Sequence, residues 1–173
     1  FTTDQDNGIV YICTDIMDRE QTQLRFLEFA RDVNEDLDKC GFPLCKGNIM
    51  ASNPDLCLTL EEWDERFAQW VRTPDPLALL NATIFFDFRP LYGRFNLAHR
   101  MRLSLLRQTQ GNPLFLRMLA QNALSVAPPL GRIRDFVTDA DPGHPGTIDL
   151  KKYGVRLFTD AARLFALAHQ VEA

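Results

Sequence analysis

Apolar and polar positions change rhythm along this chain, and the change divides it. Residues 8–13, GIVYIC, are rich in β-formers and follow a polar, acidic turn, which predicts a strand. Residues 22–39 switch to helical spacing, with Phe26, Phe29, Ala30, Val33 and Leu37 on one face and Gly41 as the stop. Residues 42–54, FPLCKGNIMASNP, are broken by Pro43, Gly47 and Pro54, and Asn48–Ala51 is a candidate second strand.

From there the pattern is helical. Thr59-Leu-Glu-Glu62 reads as a capping box, followed by Trp63, Phe67, Trp70 and Val71 at i, i+4, i+7 and i+8, which marks both tryptophans as core. Asp75-Pro76 reads as an N-cap with proline at the first helical position. The helix it opens is apolar almost all round through Phe88, as a central helix would be. A third helix is predicted from Leu97 to Gln108. A fourth starts at Asn112-Pro113, turns Leu116, Leu119, Ala120 and Ala123 inward, and is stopped by Pro128-Pro129. After a turn-rich loop, DADPGHPGTID (139–149), a last amphipathic helix covers Gly154–Gln170. The expected architecture is α+β, mainly α: a small α/β element feeding a bundle of about five helices.

Composition narrows the classes. At 173 residues with 46% hydrophobic positions the chain can bury a core, which excludes disorder and a disulfide-stapled miniprotein. No apolar run reaches the ~20 residues of a membrane helix, and no signal peptide is visible. The four cysteines, Cys13, Cys40, Cys45 and Cys57, lack zinc spacing, and His99, His144 and His169 are scattered. Mostly buried free thiols in a reducing cytoplasm are the expectation. The chain begins at Phe1 and not Met, so it is expected to be a fragment or a processed product.

The formal charge of −4 conceals a polarity. Residues 1–39 hold ten acids and four bases, whereas no acid lies between Asp87 and Asp135, a stretch with eight arginines: Arg89, Arg94, Arg100, Arg102, Arg107, Arg117, Arg132 and Arg134. Arginine forks suit phosphate, although solvated helix faces use them too. An acidic chain without a basic domain gives no expectation of nucleic-acid binding.

Three groups could carry chemistry. In Thr3-Asp4-Gln5-Asp6-Asn7, positions i and i+2 of an extended chain face one side, with Cα atoms ~6.5–7 Å apart. Carboxylates so placed can share hard divalent cations and suit phosphoryl or nucleotidyl transfer, although acid pairs are also common as solvated turn caps. Asp87, in Phe85-Phe86-Asp87-Phe88-Arg89, sits in the most apolar helix. Buried there it needs a partner, and one of the distant arginines would serve as well structurally as a catalytic role would. The pair Lys151-Lys152, with Arg156, enters the last helix after a Gly/Pro-rich loop, either to bind phosphate or as a surface cap.

The segment TDQDN followed by an apolar strand resembles the metal-binding element of the nucleotidyltransferase-like domain in bacterial signal-transduction proteins. Those proteins also carry cyclic-nucleotide-binding and CBS domains and are related to protein-PII uridylyltransferase. The resemblance extends through CGFPLCKGNIMASNP (40–54), IFFDFRPLYG (84–93) and TIDLKKYGVRLFTDAARLFAL (147–167). It implies the C-terminal part of a polymerase-β-like nucleotidyltransferase α/β domain over residues 1–56 and a helical substrate-binding domain over 57–173. By it, Asp4 and Asp6 would be the catalytic, metal-holding carboxylates for Mg2+, with a nucleoside triphosphate as donor and a regulatory partner protein or another hydroxyl as acceptor. Asp87, Arg89, Lys151, Lys152 and Arg156 are candidates for substrate or nucleotide contacts. In that family a glycine–serine element that would cradle the triphosphate precedes TDQDN. The chain as given starts after it, so no turnover is expected of this stretch by itself, and a homodimer is expected across the face that the preceding strand and helix would cover. The usual third acidic ligand has no counterpart, since Gly47-Asn-Ile-Met-Ala51 holds no acid. The competing expectation is a non-catalytic module whose helices bind a regulatory partner or an anionic ligand.

Overall fold

The computed structural model describes residues 4–14, 18–130, 136, 138, 143 and 145–171. They form a mainly helical α+β architecture in element order β1 (Ile9–Tyr11), α1 (Arg19–Lys39), β2 (Cys57–Thr59), α2 (Leu60–Arg72), α3 (Pro76–Phe85), α4 (Phe95–Gln110), α5 (Pro113–Ala123) and α6 (Arg156–His169). Thr3, Arg132, Arg134, His144 and most of the 139–144 loop lie outside the described residues. The chain divides into two compact units, residues 1–66 with 92–101 and residues 67–91 with 102–173.

In the first unit β1 and β2 pair in parallel, Ile9 with Cys57 and Tyr11 with Thr59. The second strand is therefore not Asn48–Ala51. That stretch turns, with Asn48 at φ 57°, and Cys57-Leu-Thr59 takes the place beside β1, buried throughout. Gly8 explains how β1 enters the unit. A Cβ there would stand 3.0 Å from the Leu56 carbonyl oxygen and 3.3 Å from the Trp63 ring, so glycine lets the backbone come this close without pushing either neighbour back by a few tenths of an ångström. Trp63 Nε1 then donates to the Ile9 carbonyl at 2.9 Å. The capping box forms as its spacing requires: the Thr59 N–H donates to Glu62 Oε2 at 2.9 Å, and the Glu62 N–H donates to Thr59 Oγ1 at 3.2 Å. Arg19, at the start of α1, donates to the other Glu62 oxygen.

Helix α1 ends at Gly41, whose φ of 95° belongs to the left-handed region. The Phe42 N–H returns to Leu37 O at 3.0 Å and the Gly41 N–H to Asp38 O at 2.9 Å, a Schellman stop. The inward face keeps Phe26, Ala30 and Leu37 of the apolar spacing but not Phe29 and Val33. Ala30 and Asn34 are buried, while Phe29 and Val33 are exposed, because the 4–7 segment that this helix packs against offers amides and not hydrocarbon.

The second unit is built on aromatic packing. The Phe67 ring centroid lies 5.7 Å from that of Trp70 and 5.4 Å from Phe86, and Phe86 lies 5.9 Å from Phe115. Both proline-initiated helices are capped as their sequences require. Asp75 Oδ1 accepts from the Ala78 N–H at 2.8 Å, and Asn112 Oδ1 from the Phe115 N–H at 2.9 Å. Helix α3 is not buried all round: Ala78, Leu79 and Ala82 face inward while Leu77 and Leu80 are exposed. It also stops at Phe85, so Asp87 lies beyond its end. Helix α5 ends at Ala123, before Pro128-Pro129. A π-helical turn, Lys151–Val155, leads into α6. Among the described residues no helix is long and apolar enough to cross a membrane.

Candidate functional site

The site is built from the strand-like segment just before β1. Its side chains alternate: Gln5 is buried and Asn7 half-buried, while Asp4 and Asp6 are exposed. Period-two alternation in an extended chain sends the two amides to one side and the two carboxylates to the other. The backbone is tied to the following loop, with the Gln5 N–H donating to Pro43 O and the Asn7 N–H to Ile49 O, each at 3.1 Å. That loop brings Cys45 to the carboxylates. A carboxylate oxygen of Asp4, one of Asp6 and the Cys45 Sγ all lie within 4.8 Å of one another.

The inward side chains close on α1. Gln5 Nε2 donates to Asn34 O at 2.9 Å and Phe42 O at 2.8 Å. Asn34 Nδ2 donates to Gln5 Oε1 at 2.7 Å and Asn7 Oδ1 at 3.2 Å. Asn7 Oδ1 also accepts from the Ala51 N–H at 2.8 Å, and Asn34 Oδ1 from the Ser52 N–H at 3.3 Å. These buried amides satisfy one another without a charge, so Asp4 and Asp6 are the charged groups of the segment. Sequence reasoning missed this layer and Cys45. The available signals were the acid–amide alternation of DQDN and an asparagine one turn from Ala30 on the inner face of α1.

Two hard carboxylate oxygens on one side of an extended segment suit Mg2+ or Mn2+, so Asp4 and Asp6 are the residues that would hold such an ion. The Cys45 sulfur is a soft donor and does not suit Mg2+.

The other sequence candidates lie in the second unit. Asp87 is half-exposed, and both its oxygens accept from Arg163, with Nε at 3.1 Å from each and Nη2 at 2.6 Å from Oδ2. Arg163 also donates through Nη1 to Asp160 at 2.6 Å, and both of these α6 residues are buried. Burial pulls the Arg163 pKa down, but the two carboxylates more than offset it and raise the value above its ordinary one. The neighbouring carbonyls of Phe86 and Phe88 accept from Arg102, whose guanidinium lies 4.3 Å from the Phe88 ring centroid. Burial lowers the Arg102 pKa, with the nearby Asp87 acting against it. Two arginines thus clamp the turn after α3, leaving Arg89 exposed.

Asp149 Oδ1 caps the α6 entry, accepting from the Lys151 N–H at 2.9 Å and the Lys152 N–H at 3.0 Å. The Lys152 ammonium lies over the Tyr153 ring at 4.6 Å, and Arg156 pairs with Asp160 at 3.5 Å. The side chains of Lys151, Lys152 and Arg156 are exposed.

All four cysteines are free, but only Cys57 is buried, against the expectation of mostly buried thiols. Cys40 is exposed, and Cys13 and Cys45 are half-buried. Burial, with a smaller contribution from Glu62, pushes the Cys57 thiol up to about 11.

Residues 1–77 match the family model described as "Putative nucleotidyltransferase DUF294". Residues 113–173 match the one described as "Putative nucleotidyltransferase substrate binding domain". The two matches support a nucleotidyltransferase-like chain with a substrate-binding part and a nucleotide substrate. No curated protein and no solved structure matches the chain.

Proposed function

We propose that this chain is part of a nucleotidyltransferase, similar to protein-PII uridylyltransferase, that works in bacterial cytoplasmic signal transduction. It moves a nucleotidyl group from a nucleoside triphosphate to a hydroxyl on a partner protein. The observation that carries this reading is the projection of Asp4 and Asp6 to one side of a segment anchored on its other side by Gln5 and Asn7.

Mg2+ held by Asp4 and Asp6 would neutralise triphosphate oxygens and lower the pKa of the acceptor hydroxyl. The chain's own part is to hold those carboxylates in place before the ion arrives, which spares reorganisation during the reaction. Arg89, Lys151, Lys152 and Arg156 are the exposed cationic groups proposed to contact the anionic substrate, and the clamped turn at Asp87 sets where Arg89 emerges. Large exposed apolar side chains such as Phe158, 80% exposed, are the kind a partner protein or a second copy would cover.

A second reading is a non-catalytic helical module that binds an anionic ligand or a partner, and the observation in its favour is that the cationic side chains of Arg89, Lys151 and Lys152 are exposed. Titration of Mn2+, followed by the electron paramagnetic resonance of the free ion, separates the two. The metal reading expects saturable binding by the wild-type chain and at least ten-fold weaker binding by Asp4→Asn/Asp6→Asn. Equal binding by both proteins sinks it.

A further inference from the structure

The least expected residue near the candidate site is Asn34. It lies in the middle of α1, where asparagine costs several tenths of a kcal/mol relative to alanine as a helix former. It is only 3% exposed. Its side chain and backbone together bond to three residues on two separate segments: Gln5 and Asn7 on the segment that bears Asp4 and Asp6, and Ser52 on the loop that follows Cys45. Both Nδ2 protons go to the two residues that alternate with Asp4 and Asp6. Because side chains in an extended segment have period two, fixing positions 5 and 7 inward fixes 4 and 6 outward.

We infer that Asn34 is a positioning residue for the Asp4–Asp6 pair, acting through Gln5 and Asn7 from a helix that bears no ligand itself. The inference rests on the metal reading above. Outer partners that orient metal ligands typically change affinity 10–100-fold when altered. A carboxylate at position 34 would be nearly isosteric but would lose both donors and repel the amide oxygens of Gln5 and Asn7. It would also add a negative charge close to the site, which by Coulomb attraction alone would strengthen cation binding. Weakened binding in Asn34→Asp therefore has no simple electrostatic explanation.

The test compares wild type, Asn34→Asp, Gln5→Met and Glu62→Gln. Gln5→Met breaks the same ladder from the strand side and serves if Asn34→Asp does not fold. Glu62→Gln lowers stability at the capping box without touching residues 4–7 or 42–52. Two quantities are read: Mn2+ affinity, and hydrogen exchange of the Gln5 and Asn7 backbone amides by NMR. Asn34→Asp and Gln5→Met are expected to weaken Mn2+ binding about ten-fold or more. They should also speed exchange at Gln5 and Asn7 while the α2 amides stay protected. Glu62→Gln should change Mn2+ affinity less than about two-fold, as for sites without shared partners. Wild-type Mn2+ affinity in the ladder variants, or a loss no larger than in Glu62→Gln, overturns the inference. The exchange measurement needs no metal. If wild type itself fails to bind Mn2+, the metal reading falls, and unchanged exchange at Gln5 and Asn7 overturns the positioning role on its own.

Discussion

Arg163 and Asp160 are one turn apart on α6 and both are turned inward, while Phe158 and Phe165 of the same helix face outward. A buried guanidinium is tolerable because two carboxylates bond to it, and the buried Asp160 depends on it in return. Arg163→Met is expected to cost about 3 kcal/mol, at the low end for a broken buried pair, since it leaves the buried Asp160 with only the Arg156 guanidinium at 3.5 Å. Asp87→Asn, whose carboxylate is half-exposed, should cost about 1 kcal/mol. Urea denaturation of the two variants measures both, and equal losses would contradict this account of Asp160. Thiol reactivity is a second test at this scale. With its pKa near 11 and no exposure, Cys57 should be the last cysteine alkylated by iodoacetamide in the native protein at pH 8, and the exposed Cys40 the first. Peptide mapping over time gives the order.

Among the elements, α2 depends on a cap whose chemistry titrates. Burial acts to raise the Glu62 pKa, but hydrogen bonds from Thr59 and the Arg19 guanidinium outweigh it, so the folded value lies below the ordinary 4.5. A depressed carboxylate stabilises the fold above its unfolded pKa, and that contribution is lost as pH falls through the folded value. Glu62→Gln should therefore cost about 1 kcal/mol at pH 7 and progressively less below about pH 4.5, flattening the acid limb of a urea-midpoint profile. A parallel profile for wild type and variant would refute it. Helix α5 offers a comparison without titration. Asn112 both caps the helix and donates to the Val71 carbonyl at 2.7 Å, so Asn112→Ala should cost about 1–2 kcal/mol at any pH.

For the whole molecule, a ligand that binds only the folded state must raise its stability. Mn2+ at 100 times its dissociation constant would add about 2.7 kcal/mol, visible as a higher melting temperature that Asp4→Asn/Asp6→Asn abolishes. The same shift in both proteins would place the ion elsewhere. The charge polarity of the sequence also acquires locations at this scale. The acids of residues 1–39 belong to the unit that carries the Asp4–Asp6 pair. Of the arginines between Asp87 and Asp135, Arg102 is spent on backbone carbonyls and an aromatic ring, whereas Arg89 stays exposed.

Local rules were enough for much of this protein. Capping residues at Thr59–Glu62, Asp75 and Asn112, helical apolar spacing and the Gly41 stop fix their helices, because each acts through neighbours within about five positions. The pairing of β1 depended on tertiary structure, since Asn48–Ala51 and Cys57–Thr59 are both passable strands and only burial beside Ile9–Tyr11 chooses between them. The same holds for Asn34. Read locally, it is a polar residue in an amphipathic helix, and Val33 beside it is the better core residue. Only the arrival of Gln5 and Asn7, 29 and 27 positions away, makes its amide the inward group. The DxD pattern was legible because two acids at i and i+2 need only an extended backbone to share a side. What holds that backbone extended, and what brings Cys45 to it, are long-range hydrogen bonds, which leave no periodic trace in the sequence.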